Sequence, residues 1–88
     1  MKQVHVRLFG AFRNYSNESE IVVETDQALS LEEVKAGLLK LLSINGQMDA
    51  IKTLLSQSAI ANESRVLGDS ELVLPGMKLA ILPPVCGG

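Results

Sequence analysis

The residues best suited to chemistry stand at the end of the sequence: Pro83-Pro84-Val85-Cys86-Gly87-Gly88. Gly88 as last residue places a free carboxylate on the smallest amino acid. Six extended residues reach roughly 20 Å, and Pro83-Pro84 favours a stiff, extended start. Gly87 and Gly88 have no side chains, so they fit a slot too narrow for any other residue. The expectation is a probe, residues 83–88, carried on a domain of residues 1–82. A carboxylate is a poor electrophile, because its charge repels nucleophiles and it has no leaving group. Using Gly88 as an acyl carrier therefore requires activation, as an acyl-adenylate made from ATP. The chain has no phosphate-binding glycine loop, no Walker-type lysine motif and no metal-ligand cluster. ATP would be used by an activating partner, with no cofactor bound by this chain.

Other reactive side chains give weaker signals. Cys86 reads as a small spacer in the tail, with a persulfide or redox role as the lesser alternative. As the only cysteine it can form no internal disulfide, which fits a reducing compartment. His5 lies on an outward strand face as a solvated or partner-facing residue. Glu32, Glu33, Asp49 and Glu63 show no convergent spacing for acid–base work.

The elements that must position the tail follow from hydrophobic periodicity. Residues 3–9 alternate strictly, with Val4, Val6 and Leu8 on one face and Gln3, His5, Arg7 and Phe9 on the other, which predicts a half-buried strand. Residues 10–19 carry turn formers and read as a loop. Residues 20–24 form a second strand with Ile21 and Val23 inward, closing a hairpin. Ser30 and Glu33 have the spacing of a capping box. The stripe Leu31, Val34, Leu38 and Leu41, widened by Leu42, predicts a helix ending at Asn45-Gly46. Glu32, Lys35, Ala36 and Lys40 then look outward. Gly37 inside that helix costs about 1 kcal/mol relative to Ala, which close packing on a sheet would explain.

Residues 47–57 predict a second, shorter helix from Met48, Ile51, Leu54 and Leu55. Short strands are expected at 58–62 and 65–67, joined by a turn at residues 62–64. Leu74-Pro75-Gly76-Met77 suits a type II turn. Residues 78–82 are apolar on both sides and so form a central strand, stopped by Pro83-Pro84. The order gives an α+β domain with a helix packed on one sheet face. Pairing the first and last strands in parallel at the centre makes a β-grasp roll.

Length and composition bound the remainder. The chain has 88 residues, enough for one small domain. The aromatics are only Phe9, Phe12 and Tyr15, so Leu, Ile and Val must build the core. A net charge of −2 with interspersed signs gives no nucleic-acid footprint and no attraction to anionic membranes. No apolar stretch is long enough to span a bilayer, and the N-terminus lacks the apolar block of a signal peptide. A cytoplasmic location is expected.

The closing Pro83-Pro84-Val85-Cys86-Gly87-Gly88 after an apolar strand resembles the molybdopterin synthase small subunit, a ubiquitin-like sulfur carrier. The segment Phe9 to Arg13 resembles the family's Phe-Gly-Ala-Phe-Arg, and Ala61-Asn62-Glu63 stands at the place of its Val-Asn-Xaa. The resemblance spans the chain, with most of its specificity in the last eight residues. It implies that an adenylating enzyme similar to ubiquitin-activating enzymes converts Gly88 to an acyl-adenylate, and that a sulfur donor then makes it a thiocarboxylate. The tail, Pro83, Pro84, Val85, Cys86 and Gly87, would enter the large synthase subunit and deliver sulfur to the pterin precursor of the molybdenum cofactor. A heterotetramer is implied, with catalytic side chains in the large subunit. Phe9 and Leu82 would form an apolar docking patch at the tail root. Arg65 stands in that interface where relatives carry an apolar residue, and Gly76-Met77 replaces the family's Gly-Asp. Two alternatives remain: a thiocarboxylate carrier for thiazole, cysteine or tungsten-cofactor synthesis, or a β-grasp binding module that is never charged.

Overall fold

A computed structural model of the chain describes residues 2–44 and 46–84. Six strands and two helices run in the order β1 (Gln3–Leu8), β2 (Glu20–Glu24), β3 (Leu29–Ser30), α1 (Leu31–Leu42), α2 (Met48–Ser56), β4 (Ala59–Ala61), β5 (Leu72–Val73) and β6 (Lys78–Leu82), with a 3₁₀ helix at Gly10–Tyr15. The main sheet has the order β2-β1-β6-β4, and β3 pairs with β5 in a small second sheet. β1 is antiparallel to β2 and parallel to β6, with Val6 opposite Leu79 and Leu8 opposite Ile81. β4 runs antiparallel on the far side of β6. The last strand is thus central and paired in parallel with the first. This is the β-grasp arrangement expected from the pattern.

Alternation along β1 and β6 puts Val4, Val6, Leu8, Leu79 and Ile81 on one face. There they meet Val34, Leu38 and Leu42 of α1 and Ile51 and Leu55 of α2 in one buried core. The capping box forms as expected: Ser30 Oγ accepts from the Glu33 amide at 3.1 Å, and Glu33 Oε1 accepts from the Ser30 amide at 2.9 Å. A Cβ on Gly37 would lie 3.3 Å from Val23 Cγ1, so the missing side chain lets α1 settle closely on β2. The turn before β6 also forms. Met77 N–H donates to Leu74 O at 3.2 Å, and Gly76 takes the positive φ of 93° that a type II turn needs.

The structure differs from the sequence reading in several places, among them the small β3–β5 sheet, which the sequence reading did not include. The segment expected as a loop contains the 3₁₀ helix, and Phe12 within it is fully buried, a core residue that the alternating pattern does not reveal. Residues 65–67 form no strand but a single bridge, Ala61 with Val66. Asn62 Oδ1 accepts from the amides of Ser64 and Arg65 at 2.8 and 2.9 Å, which curls the chain before a ladder can extend. Leu41 is exposed, and Leu42 takes its place in the buried stripe. Lys35 does not look outward freely: its Nζ donates to Ser58 O at 2.8 Å and ties α1 to the start of β4. Asn45, expected at the end of α1, lies outside the described residues. No described helix is long and apolar enough to cross a membrane.

Candidate functional site

β6 delivers the chain to the tail root. Its last residues continue the pairing with β1, so Leu82 comes one step beyond the Leu8–Ile81 pair and stands level with Phe9. Both point away from the core because Leu8 and Ile81 point into it. Phe9 is 40% exposed and Leu82 is half-buried. The structure therefore brings these two expected site residues to one end of the outer sheet face.

Gly10 supports the next residue. It has φ +56°, and a Cβ there would stand 2.7 Å from Pro83 Cγ. Any side chain would both strain the backbone and strike the proline ring. The pyrrolidine of Pro83 thus rests against bare backbone at the mouth of the 3₁₀ helix. Sequence reasoning treated Gly10 only as a turn former. The available signal was its place between an exposed and a buried Phe directly after the first strand. Pro84 is half-buried, and Val85, Cys86, Gly87 and Gly88 lie outside the described residues.

Arg65 is not at the tail root. β4 pairs with β6 so that Ala59 faces Leu82 and Ala61 faces Ala80, which puts the turn after Ala61 toward the opposite end of the sheet. There Arg65 forms a two-pronged ion pair with Glu71 through Nη1 at 2.6 Å and through Nη2. Glu71 Oε2 also accepts from the Gly68 amide at 2.6 Å. The hydrogen bond from Arg65, joined by that amide, lowers the Glu71 carboxyl from 4.5 to about 2. The same partner raises the Arg65 guanidinium. The guanidinium is committed to closing its own loop.

The rest of the outer sheet face is polar. His5 Nδ1 lies 2.9 Å from Glu20 Oε1, and Arg7 stands opposite Glu20 in the strand register. With Phe9, Asn62 and Lys78 these residues line a shallow open groove. It has no nucleophile paired with a base. Among the described residues no group of three or more His, Cys, Asp or Glu could hold a metal ion. What the described site can do is present: a central strand, an apolar pair at its end and a proline seated on glycine.

No protein-family model and no curated protein matches the sequence. Solved structures do. Two crystal structures of small archaeal modifier protein 1 from Haloferax volcanii each match with a TM-score of 0.69, at 17% and 15% identity. They cover 98% and 97% of this chain and 99% and 100% of their own. A protein–protein complex of subunits 1 and 2 of the molybdopterin-converting factor from Helicobacter pylori 26695 contains a chain matching with a TM-score of 0.59 at 26% identity, covering 98% of this chain and 99% of that one. Agreement over nearly whole chains at such low identity establishes the architecture: this chain has the ubiquitin-like β-grasp fold.

Proposed function

We propose that this chain is a ubiquitin-like sulfur carrier, the small subunit of molybdopterin synthase, and that residues 83–88 are its working tail. The observation that carries the reading is the join between fold and sequence. The central strand β6 ends at Leu82, with Pro83-Pro84-Val85-Cys86-Gly87-Gly88 next in sequence and Pro83 seated on Gly10. In the first step a Gly88 carboxylate oxygen attacks the α-phosphorus of ATP on an activating partner, and pyrophosphate leaves. Hydrosulfide then attacks the acyl carbon and AMP leaves, giving the thiocarboxylate. Delivery of that sulfur to the pterin precursor, with water restoring the carboxylate, takes place in the large subunit. Phe9 and Leu82 dock the tail root against it. Support for that partner comes from the Helicobacter pylori complex of the two converting-factor subunits. Arg65, away from the tail root, holds the 65–71 loop through Glu71 and takes no part in that contact.

A second reading uses the same activation. The small archaeal modifier protein 1 of Haloferax volcanii superposes better than the converting-factor chain. In that reading the activated Gly88 acylates an amine of another protein.

The deciding experiment incubates the full chain with an adenylating enzyme of the ubiquitin-activating type, ATP and sulfide, and measures intact mass. Exchange of one oxygen for sulfur at Gly88, followed by molybdopterin formation with the large subunit, is expected. Removing Gly88, or adding one residue after it, abolishes the exchange while the unfolding midpoint stays unchanged. Transfer by the extended chain would overturn the proposal. Adducts on other proteins without pterin conversion would favour the modifier reading, and an unreacted Gly88 would favour a binding module that is never charged.

A further inference from the structure

The two edges of the main sheet are finished differently. At the β4 edge the chain covers itself: Leu67 N–H donates to Ile60 O at 2.8 Å and Asn62 N–H to Arg65 O at 3.0 Å. At the other edge, β2 has β1 as its only neighbour among the described strands. Leu8 N–H donates to Ser19 O and Thr25 N–H to Lys2 O, which fixes the odd-numbered residues of this segment as those bonded to β1. The amides and carbonyls of Glu20, Val22 and Glu24 therefore point outward from the sheet. Such a row is a template for another strand.

The flanks of this edge are chemically distinct. On the helix side lies an open groove between β2 and the end of α1, walled mainly by Tyr15, Ile21, Leu41, Leu42 and Ile44, with Glu18 at its rim. Ile44 is 75% exposed and Leu41 37%. On the other side Glu20, against which His5 lies, and Glu24 are exposed, with Asp26 exposed just beyond the strand. A strand added to β2 sends alternate side chains to these two flanks. One set would lie in an apolar groove and the other beside carboxylates.

We propose that the β2 edge is a strand-addition site for an extended peptide in which apolar and basic side chains alternate. Charge selects this occupant over a second copy of the chain. A two-fold pairing centred on Val22 would set each Glu20 directly against the other copy's Glu24, and like charges in that position are destabilising. The site does not draw on Gly88, and β1 separates it from β6.

The test follows backbone amide NMR shifts and hydrogen exchange of the full chain during titration with three short capped peptides. One alternates Lys and Val, one alternates Glu and Val, and one has the first composition in two blocks. Saturable shifts at Glu20, Val22, Glu24, Leu41 and Ile44, with slowed exchange of the three β2 amides, are expected for the first peptide only. The block peptide should bind about tenfold more weakly, because it cannot fill both flanks at once. The E20K/E24K double variant, with its native spectrum as the folding control, should transfer preference to the Glu-Val peptide. Equal binding of the block peptide, shifts confined to the Arg7–Lys78 face, no shift at millimolar peptide, or dimerisation through β2 in sedimentation would each overturn the proposal.

Discussion

Gly10 and Glu71 show how single residues set the ends of the sheet. Gly10 combines a left-handed backbone with contact to Pro83, so G10A suffers both conformational strain and collision. A loss of about 2 kcal/mol in urea unfolding is expected, larger than a surface glycine would show. Glu71 has a depressed carboxyl in the folded chain, so its contribution to stability is present above pH 4.5 and is lost as pH falls toward about 2. Carboxyl NMR should give Glu71 a midpoint near 2, and R65A should return it toward the ordinary carboxylate range, because the Arg65 hydrogen bond is the largest cause of the shift. A Glu71 midpoint unchanged in R65A would show that the Gly68 amide alone holds the carboxylate. Neither residue's role was legible beforehand. Gly10 depends on a contact 73 positions away, and the Arg65–Glu71 pair depends on a turn set by Asn62.

Elements were legible where a local signal sufficed. The alternation of residues 3–9, the Ser30–Glu33 spacing and the Pro75-Gly76 pair each encode their structure within a few residues, and each is present as expected. S30A should cost about 1 kcal/mol in thermal or denaturant unfolding. S30D should retain most of that stability, since an aspartate also accepts from the Glu33 amide. The two-residue strands β3 and β5 carried no such signal. Leu72 and Val73 pair with Ser30 and Leu29 only because α1 and the 65–71 loop hold them side by side. Phe12 was hidden for a related reason, since a 3₁₀ turn has neither of the periods used to find buried faces.

At the scale of the whole molecule, the core is one layer thick and rests on few side chains. Leu38 is fully buried against both the sheet and the helical layer. L38A should cost about 2–5 kcal/mol, a large share of the roughly 4–13 kcal/mol typical for a domain this size. Urea unfolding with unchanged slope and a much lower midpoint is the expected result. The proposed tail is a reading of the residues at the end of the sequence alone, because proline and glycine act through their own covalent geometry. Its surroundings were not legible in that way, because Phe9 and Leu82 become neighbours only when the first and last strands pair.

That parallel pairing also decides how the molecule answers force. Tension applied between the start of β1 and the end of β6 pulls the two strands along their common axis in opposite directions. The hydrogen bonds between them are then loaded together in shear rather than opened one after another like a zipper. A machine hauling on the diglycine end while the N-terminus is held would meet its greatest resistance at the outset, before any part of the roll had come undone.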